Sequence, residues 1–360
     1  MKITAVRLEM VEVPLAVPIA TAIHDIHSLG CALLTLETDQ GVRGESYVFT
    51  INVLRLKALY EMLKGLEDLV VGCNPHFVEK IWQSIFDEIN PIGHKGTGVA
   101  ALSAIDTACW DIVAKAANLP LYRLFGACRE RVPTYASGGL WLSSTPEDCA
   151  READDIVASG FKAVKLRLGS TRIADDVLRV RLVREAIGPD IGLLADANQS
   201  FTAKHAIRLG RALEEFDLTW LEEPVAYQDL RGHREVRNAL AIPIATGETE
   251  YTRYGMRSLI EAGAADILMP DLQRIGGLSE FRRAGALAAA HDIPVSAHLF
   301  TEQSLSIAGS LPNCISVEHM PWAAPLLNES MELVDGELVV PNRPGTGFTF
   351  NRKAVETYRL

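Results

Sequence analysis

The sequence lacks the features that define several specialised classes of protein. Its six cysteines include no C-x-x-C pair, which argues against a zinc or disulfide framework and favours reduced thiols. No uninterrupted apolar run approaches the ~20 residues of a transmembrane helix. Charges at Arg7, Glu9 and Glu12 break the N-terminal segment, which therefore lacks the core of a signal peptide. We expect a cytoplasmic protein.

Positive charge is also in short supply. The chain has 35 lysines and arginines against 46 acidic residues, a net charge of −11. Nucleic acids and anionic membranes would be repelled by such a surface, so neither is expected as a partner. An anionic small substrate would need a local positive site. The 360 residues are 48% hydrophobic, which is ample for one large domain and a smaller one.

The chain divides into two regions with different patterns of apolar residues. Residues 1–126 show strand alternation up to about residue 50, interrupted by a broken stretch at Pro14 and Pro18 that we predict to be an irregular loop, and then helical periodicity. Residues 127–325 alternate eight short apolar runs with amphipathic helical stretches, the pattern of an α/β fold of the (β/α)8 barrel type. We predict an α+β capping domain at 1–126, completed by 326–360, and a barrel at 127–325.

Ionisable residues stand at the ends of six successive predicted barrel strands. Asp196, Glu222 and Glu248 are evenly spaced, since 222 − 196 = 26 and 248 − 222 = 26. Strand ends of a barrel converge on the face that carries catalysis. Three clustered carboxylates need a cation, and an all-oxygen set favours Mg²⁺, with Mn²⁺ as the alternative. The next strands end in Asp271, His298 and Glu318.

Asp271 and His298 end neighbouring strands, so we expect a dyad in which the carboxylate orients an imidazole base. Across the ring, the stretch "AVKLRLG" places Lys165 and Arg167 on one face of a strand. A metal, two cations and a His-Asp base favour removal of a proton next to a carboxylate, with the metal and cations stabilising the enediolate.

At this level of detail the sequence resembles the enolase superfamily, in particular its mandelate racemase subgroup. The resemblance spans the chain and rests on the stretches "AVKLRLG", "LADANQS", "TWLEEP", "GETE", "MPDLQRIGG", "SAHLF" and "VEHM". It implies metal ligands at Asp196, Glu222 and Glu248 and a base at His298 paired with Asp271. It further implies a substrate-carboxylate contact from Glu318, a polar contact from Asn198 and a homo-oligomer, either an octamer or a dimer.

The resemblance also implies that cap loops set specificity. Here the loops carry His24, His27 and Tyr47, with Trp141 just past the first barrel strand. With Asp25 and Thr50, the two histidines and Tyr47 predict a polar lid suited to a hydroxylated acid rather than an aryl acid, and Trp141 is expected to pack against the ligand or the lid.

Arg167 departs from the subgroup pattern, which commonly has a lysine base there. An arginine is a poor proton acceptor at neutral pH. Lys165 beside it is left either as a proton donor and acceptor or, with Arg167, as a fixed cation for a carboxylate.

The leading hypothesis is therefore a Mg²⁺-dependent dehydratase of a sugar acid, an aldonate or aldarate. The alternatives are a racemase or epimerase of a 2-hydroxy acid, a sugar-lactone cycloisomerase and a non-catalytic metal-binding barrel.

Overall fold

A three-stranded antiparallel sheet begins the chain in the computed structural model, which describes residues 1–360. Its strands, in spatial order, are β1 (Ile3–Ala20), β2 (Asp25–Thr38) and β3 (Arg43–Ile51). The prediction of an irregular loop at Pro14 and Pro18 is wrong, because β1 runs through both prolines. β1 is an edge strand, where a missing N–H breaks no ladder, and its pairing with β2 shifts between Pro14 and Ile19.

Four helices complete the N-terminal unit, which we call the cap: α1 (Leu56–Gly65), α2 (Val78–Glu88), α3 (Thr97–Ala116) and α4 (Leu121–Leu124). α3 lies so close to β3 that a Cβ on Gly44 would be 2.1 Å from the carbonyl oxygen of Ala108. α3 has the length and hydropathy of a membrane-spanning helix, but 83% of that segment is buried inside the protein. Its apolar surface belongs to the core of the cap.

Eight parallel strands then close into a barrel, in which the last strand pairs with the first. The barrel centre is packed with side chains that include Tyr135 and Trp220, so its open face lies at the C-terminal strand ends. The predicted barrel fold is confirmed. The strands are β4 (Arg131–Ala136), β5 (Ala163–Arg167), β6 (Gly192–Asp196), β7 (Trp220–Glu222), β8 (Ile244–Thr246), β9 (Ile267–Leu268), β10 (Val295–Ala297) and β11 (Cys314–His319).

Helices surround the barrel and bury their apolar faces against the strands. Seven strands are followed by helix, while β11 leads into a 3-10 turn at Ala324–Leu326. The helices are α5 (Pro146–Ala158), α6 (Ile173–Ile187), α7 (Ala203–Leu213), α8 (Leu230–Ala239), α9 (Thr252–Ala262), α10 (Leu272–Ile275), α11 (Leu278–Ala289) and α12 (Thr301–Ala308).

The C-terminal tail, which the sequence predicts to complete the cap, contacts both the cap and the barrel. Its hairpin, β12 (Leu333–Val334) and β13 (Glu337–Val339), extends the barrel strand β4. The segment beyond it reaches the cap, where the backbone N–H of Leu360 donates to the carbonyl of Met10. The last helix is α13 (Arg352–Tyr358), and Arg352 is paired with Glu9 of β1.

A buried polar junction fixes the cap on the barrel. Asp106 of α3 accepts hydrogen bonds from the backbone N–H and hydroxyl of Ser279 in the first turn of α11. Gly277, with φ of +93°, lets the two helices approach, since a Cβ there would lie 2.5 Å from an Asp106 oxygen. Trp82 donates its indole N–H to the carbonyl of Gly276. This junction holds the cap over the mouth of the barrel.

Candidate active site

The C-terminal ends of the barrel strands bring the predicted ring residues together. Arg167 pairs with Asp196, and Asp196 with Glu222, in the parallel ladder of β5, β6 and β7. A further isolated bridge joins Asp271 to His298. Glu248 follows β8 by two residues, and Glu318 lies in β11. These residues come together because the C-terminal ends of all strands of a closed parallel sheet meet at one face.

His298 and Asp271 form the predicted pair. Nδ1 of His298 lies 2.8 Å from Oδ2 of Asp271, and Nε2 lies 3.2 Å from Oε2 of Glu248. Burial lowers the pKa of His298, but Glu248, Glu318 and the bonded Asp271 outweigh it and raise the pKa to about 9. Asp271 in turn caps α10 by accepting from the N–H of Arg274. The imidazole is thus fixed in orientation at Nδ1 and presents Nε2 to the acidic ring.

Lys165 lies among carboxylates rather than beside another cation. Its Nζ is 2.8 Å from both Glu222 and Glu318 and 3.5 Å from Asp196. Burial lowers the pKa of Lys165, but these carboxylates raise it well above the ordinary value of lysine. The ammonium is therefore the internal counter-ion of the ring.

Arg167 has a separate set of partners. Its Nη1 donates to the carbonyls of Ser137 and Gly139, and its Nη2 donates to the Ser137 hydroxyl at 2.7 Å. The guanidinium lies over the Trp141 ring at 4.1 Å. Ser137, which is completely buried, donates in turn to Glu318. Sequence reasoning missed Ser137, because no local pattern marks a serine that bridges two strands.

The donor chemistry around Asp196, Glu222 and Glu248 fits a hard divalent cation, since every available atom is oxygen. These carboxylates do not converge on one point here; Lys165 and His298 provide the balancing charge instead. Burial and neighbouring carboxylates still raise the pKa of Glu222 against the pull of Lys165. Oδ1 of Asn198 is buried without a hydrogen-bond partner, as is Oε1 of Glu223. Oxygen atoms that no hydrogen bond uses therefore remain beside the ring.

Glu223 is a second residue that sequence reasoning missed. It lines the cavity above the ring, and its backbone is left-handed at φ of 38°, which turns its side chain out of the strand direction. Gln199 donates to one of its oxygens. Burial, followed by the charges of Glu248 and Asp196, raises the pKa of Glu223 well above that of a free glutamate. Its signal in the sequence is the doubled glutamate of "LEEP".

A cavity of about 350 Å³ opens between the ring and the cap, and only some of the predicted substrate contacts line it. His24, Trp141 and Asn198 line it. Tyr47 does not, because it is buried against α12, where its hydroxyl donates to Glu302. His27 is exposed and also lies outside the cavity. Tyr47 and His27, which the sequence predicts as substrate contacts, therefore lie apart from this cavity.

On its cap side the cavity is lined by the polar residues Thr21 and His24 and by an apolar surface that the cap shares with loops of the barrel, so the lid is polar only in part. We call this surface the apolar wall; its residues are Ile26, Phe49, Ile51, Trp141, Met320 and Trp322. Trp322 joins its two halves, with ring centroids 6.4 Å from Trp141 and 6.4 Å from Phe49. A different edge of the cavity is polar and carries Asn198, Gln199, Tyr227 and Thr249.

The fold and this charged mouth place the protein among barrel enzymes that act under a separate capping domain. Two family models match the chain. One, described as mandelate racemase / muconate lactonizing enzyme, N-terminal domain, covers residues 3–126. The other, described as enolase C-terminal domain-like, covers residues 148–354. The chain belongs to the mandelate racemase and muconate lactonizing enzyme family of the enolase superfamily, and it is a magnesium-dependent lyase or isomerase.

Several characterised proteins are similar over nearly the whole chain. L-talarate/galactarate dehydratase of Salmonella typhimurium is 33% identical over 362 residues, covering 98% of this chain and 91% of its own. A variant of that enzyme with Mg and L-glucarate superposes with a TM-score of 0.96 at 32% identity, covering 100% and 92% of the two chains. A 3,6-anhydro-alpha-L-galactonate cycloisomerase of Streptomyces coelicolor is 33% identical and covers 96% of each chain.

A Bradyrhizobium enolase complexed with magnesium and mandelic acid is 31% identical to this chain. Its structure superposes with a TM-score of 0.93 and covers 100% of this chain and 98% of its own. The similar proteins thus share one scaffold and differ in the acids they bind.

Proposed function

We propose that the protein dehydrates a sugar acid, removing the proton next to the carboxylate and the hydroxyl of the adjacent carbon. His298 acts as the base and Asp271 orients it. Lys165 binds the substrate carboxylate, Glu318 in its protonated form donates a hydrogen bond to it, and Arg167 is a fixed cation in the wall of the site. Asp196, Glu222 and Glu248 hold Mg²⁺, with Asn198 as a polar neighbour.

The placement of Arg167 carries this proposal. Its guanidinium is held by two backbone carbonyls and the Trp141 ring, and an arginine keeps its proton at neutral pH. Lys165, the other cation of β5, is enclosed by three carboxylates. Among the residues at the strand ends, His298 is then the base best placed to act. A racemase needs a base on each face of the α-carbon, whereas a syn elimination needs only one.

The proposed elimination balances with that single imidazole. Nε2 of His298 takes the proton from C2, and the electron pair of the broken C–H bond forms the enediolate with the carboxylate. The C2–C3 double bond then forms as the C3–O bond breaks, and the same imidazolium gives its proton to the leaving hydroxyl. Water and an enol result, and the enol becomes a 2-keto-3-deoxy acid by tautomerisation.

Bound Mg²⁺ would supply Lewis-acid stabilisation of the negative charge that develops on the substrate carboxylate. The residues that would hold it also govern the base. Neutralisation of Glu248 removes one of the carboxylates that raise the pKa of His298, which brings the imidazole closer to the neutral form that a base requires. Lys165 can leave its pairs with Glu222 and Glu318 for the substrate carboxylate.

The similar proteins support this reading, because a talarate/galactarate dehydratase, an arabinonate dehydratase and a rhamnonate dehydratase are among them. Two cycloisomerases are also among the similar proteins. We also propose that the protein is a cytoplasmic homo-oligomer. Its six cysteines are free thiols, which fits a reducing compartment, and light scattering of the purified protein measures its assembly.

A screen of mono- and diacid sugars with Mg²⁺ in D2O tests the proposed reaction. We expect a 2-keto-3-deoxy acid to form, and we expect His298→Asn to abolish both its formation and α-proton exchange. His291→Asn, at an exposed histidine outside the cavity, is the control and should behave like the parent. Solvent deuterium at the α-carbon without loss of water would identify an epimerase. An isomeric product formed from a lactone, with no keto group, would identify a cycloisomerase.

A further inference from the structure

The cavity is asymmetric in a way that bears on the end of the substrate remote from its carboxylate. We call the barrel side of the cavity its floor. All of the lysine and arginine side chains that line the cavity belong to this floor: Lys165, Arg167 and Arg274. The cap contributes none, and its one titratable lining residue is His24. A substrate held by its carboxylate at the floor therefore extends away from the fixed cations.

Each floor cation is already engaged within the protein. Lys165 lies between Glu222 and Glu318, and Arg167 donates to backbone carbonyls. Arg274 donates to the carbonyl of Glu248 and lies 3.5 Å from that residue's carboxylate. One of them, Lys165, is accounted for by the reacting carboxylate. No lysine or arginine of the cavity lining is left for a second carboxylate at the far end.

The apolar wall is what the far end meets instead. Ile26 is 2% exposed, and Trp141 and Met320 are also almost completely buried. Phe49 is packed by Phe300 at a centroid distance of 5.0 Å and by Trp322, so the wall is held in place from behind. A carboxylate against such a surface loses its hydration and gains no partner, whereas a methyl group gains from burial.

The polar edge of the cavity can bind the hydroxyl groups between the two ends of the substrate. Asn198, Gln199, Tyr227 and Thr249 lie there, and Oδ1 of Asn198 is buried without a partner. Such side chains suit hydroxyl groups, which a purely aromatic acid lacks. We propose, on the basis of the proposed function, that the substrate is a monocarboxylic sugar acid whose terminal carbon is deoxygenated. Its carboxylate lies at the floor, its hydroxyls at the polar edge and its terminal methyl on the apolar wall.

The test compares sugar acids of one stereochemical series that differ only at the terminal carbon: a methyl, a hydroxymethyl or a carboxylate. The assay is kcat/KM for keto-acid formation by the Mg²⁺-loaded enzyme. The methyl acid should exceed the hydroxymethyl acid by about tenfold, since an unpaired buried hydroxyl costs roughly that factor, and the diacid should be weaker still. A diacid that equals or exceeds the methyl acid overturns the inference.

The two proposals fail in different ways. If the diacid is dehydrated best, the inference on the terminal group falls and the dehydratase stands. If acids of every series undergo α-proton exchange in D2O and none loses water, the dehydratase proposal falls, and the relative exchange rates of the three acids still measure the preference for the terminal group.

A variant relocates the charge. Ile51→Arg places a guanidinium on the apolar wall, and we expect it to shift the ratio of diacid to methyl-acid kcat/KM by at least about tenfold toward the diacid. Ile92→Arg, at an exposed cap position, is the matched control and should leave the ratio unchanged. Circular dichroism verifies that each variant is folded. An unchanged ratio in folded Ile51→Arg contradicts the inference. If Ile51→Arg does not fold, the comparison of the three acids with the parent enzyme tests the inference by itself.

Discussion

The hydroxyl of Ser137 links Arg167 to Glu318, and its removal should therefore affect both the stability and the activity of the protein. It accepts from Nη2 of Arg167 at 2.7 Å and donates to Oε1 of Glu318. All three residues are buried. Ser137→Ala takes away two hydrogen bonds to charged groups, and each such bond contributes about 1.5–3 kcal/mol.

The loss should be smaller than the sum of the two, because neither partner is left alone. Arg167 keeps its bonds to the carbonyls of Ser137 and Gly139, and Glu318 keeps Lys165 and the N–H of Leu299. We expect about 2–3 kcal/mol of unfolding free energy to be lost in urea titrations. Because Glu318 is proposed to bind the substrate carboxylate, kcat/KM should fall by about 10–100-fold, equivalent to 1.4–2.7 kcal/mol.

The matched control is Ser296→Ala. Ser296 is equally buried in β10, but its hydroxyl is 2.8 Å from that of Ser316 and contacts no charged side chain. It should lose about 1 kcal/mol of stability and keep the parental kcat/KM. The reasoning is refuted if Ser137→Ala loses no more stability than Ser296→Ala and turns over substrate at the parental rate.

Three further predictions concern the cap junction and the metal. Gly277→Ala should lose about 3 kcal/mol or more of unfolding free energy, since it combines a strained positive φ with a clash against Asp106; Gly72→Ala, with φ of +86° and open space around it, isolates the backbone part and should lose less. Burial raises the pKa of Asp106 to about 7, so the folded protein binds its proton more tightly than the unfolded chain does. Stability should fall by up to about 4 kcal/mol as pH rises from about 4 to 7, and Asp106→Asn should flatten that fall in urea titrations at several pH values; equal slopes in both proteins would contradict it. Chelation of Mg²⁺ should stop α-proton exchange. It should also lower the unfolding temperature, because Mg²⁺ at 100 times its Kd stabilises the folded protein by about 2.7 kcal/mol. Exchange that continues in the chelated enzyme would count against a role for the metal.

The barrel and the contents of its ring could be predicted from the sequence for one physical reason. In a closed parallel sheet all C-terminal strand ends meet at one mouth, so linear order converts directly into proximity. Asp196 and Glu222 are therefore adjacent in the ladder, and Asp271 bridges to His298, although neither pair is close along the chain.

The cap could not be predicted in the same detail. The predicted loop after residue 13 includes the first residues of β2. Because side chains alternate along a strand, Ile26 faces the cavity while His27 faces outward, and a loop prediction does not contain this information. Tyr47 shares a face of β3 with Phe49 but lies further from the strand end. It therefore packs on Phe300 and donates to Glu302 instead of lining the cavity. Parity along a strand says which side a residue faces and nothing about what lies opposite.

The sequence by itself determined the family, the barrel and the set of ionisable groups at its mouth, because strand periodicity and strand order carry that information. Only the tertiary structure decided what those groups touch. Lys165 and Arg167, two residues apart on one strand, are separated into an ammonium among carboxylates and a guanidinium held by carbonyls and Trp141. It also decided that an apolar wall lines part of the cavity, because that surface is assembled from segments far apart in the chain.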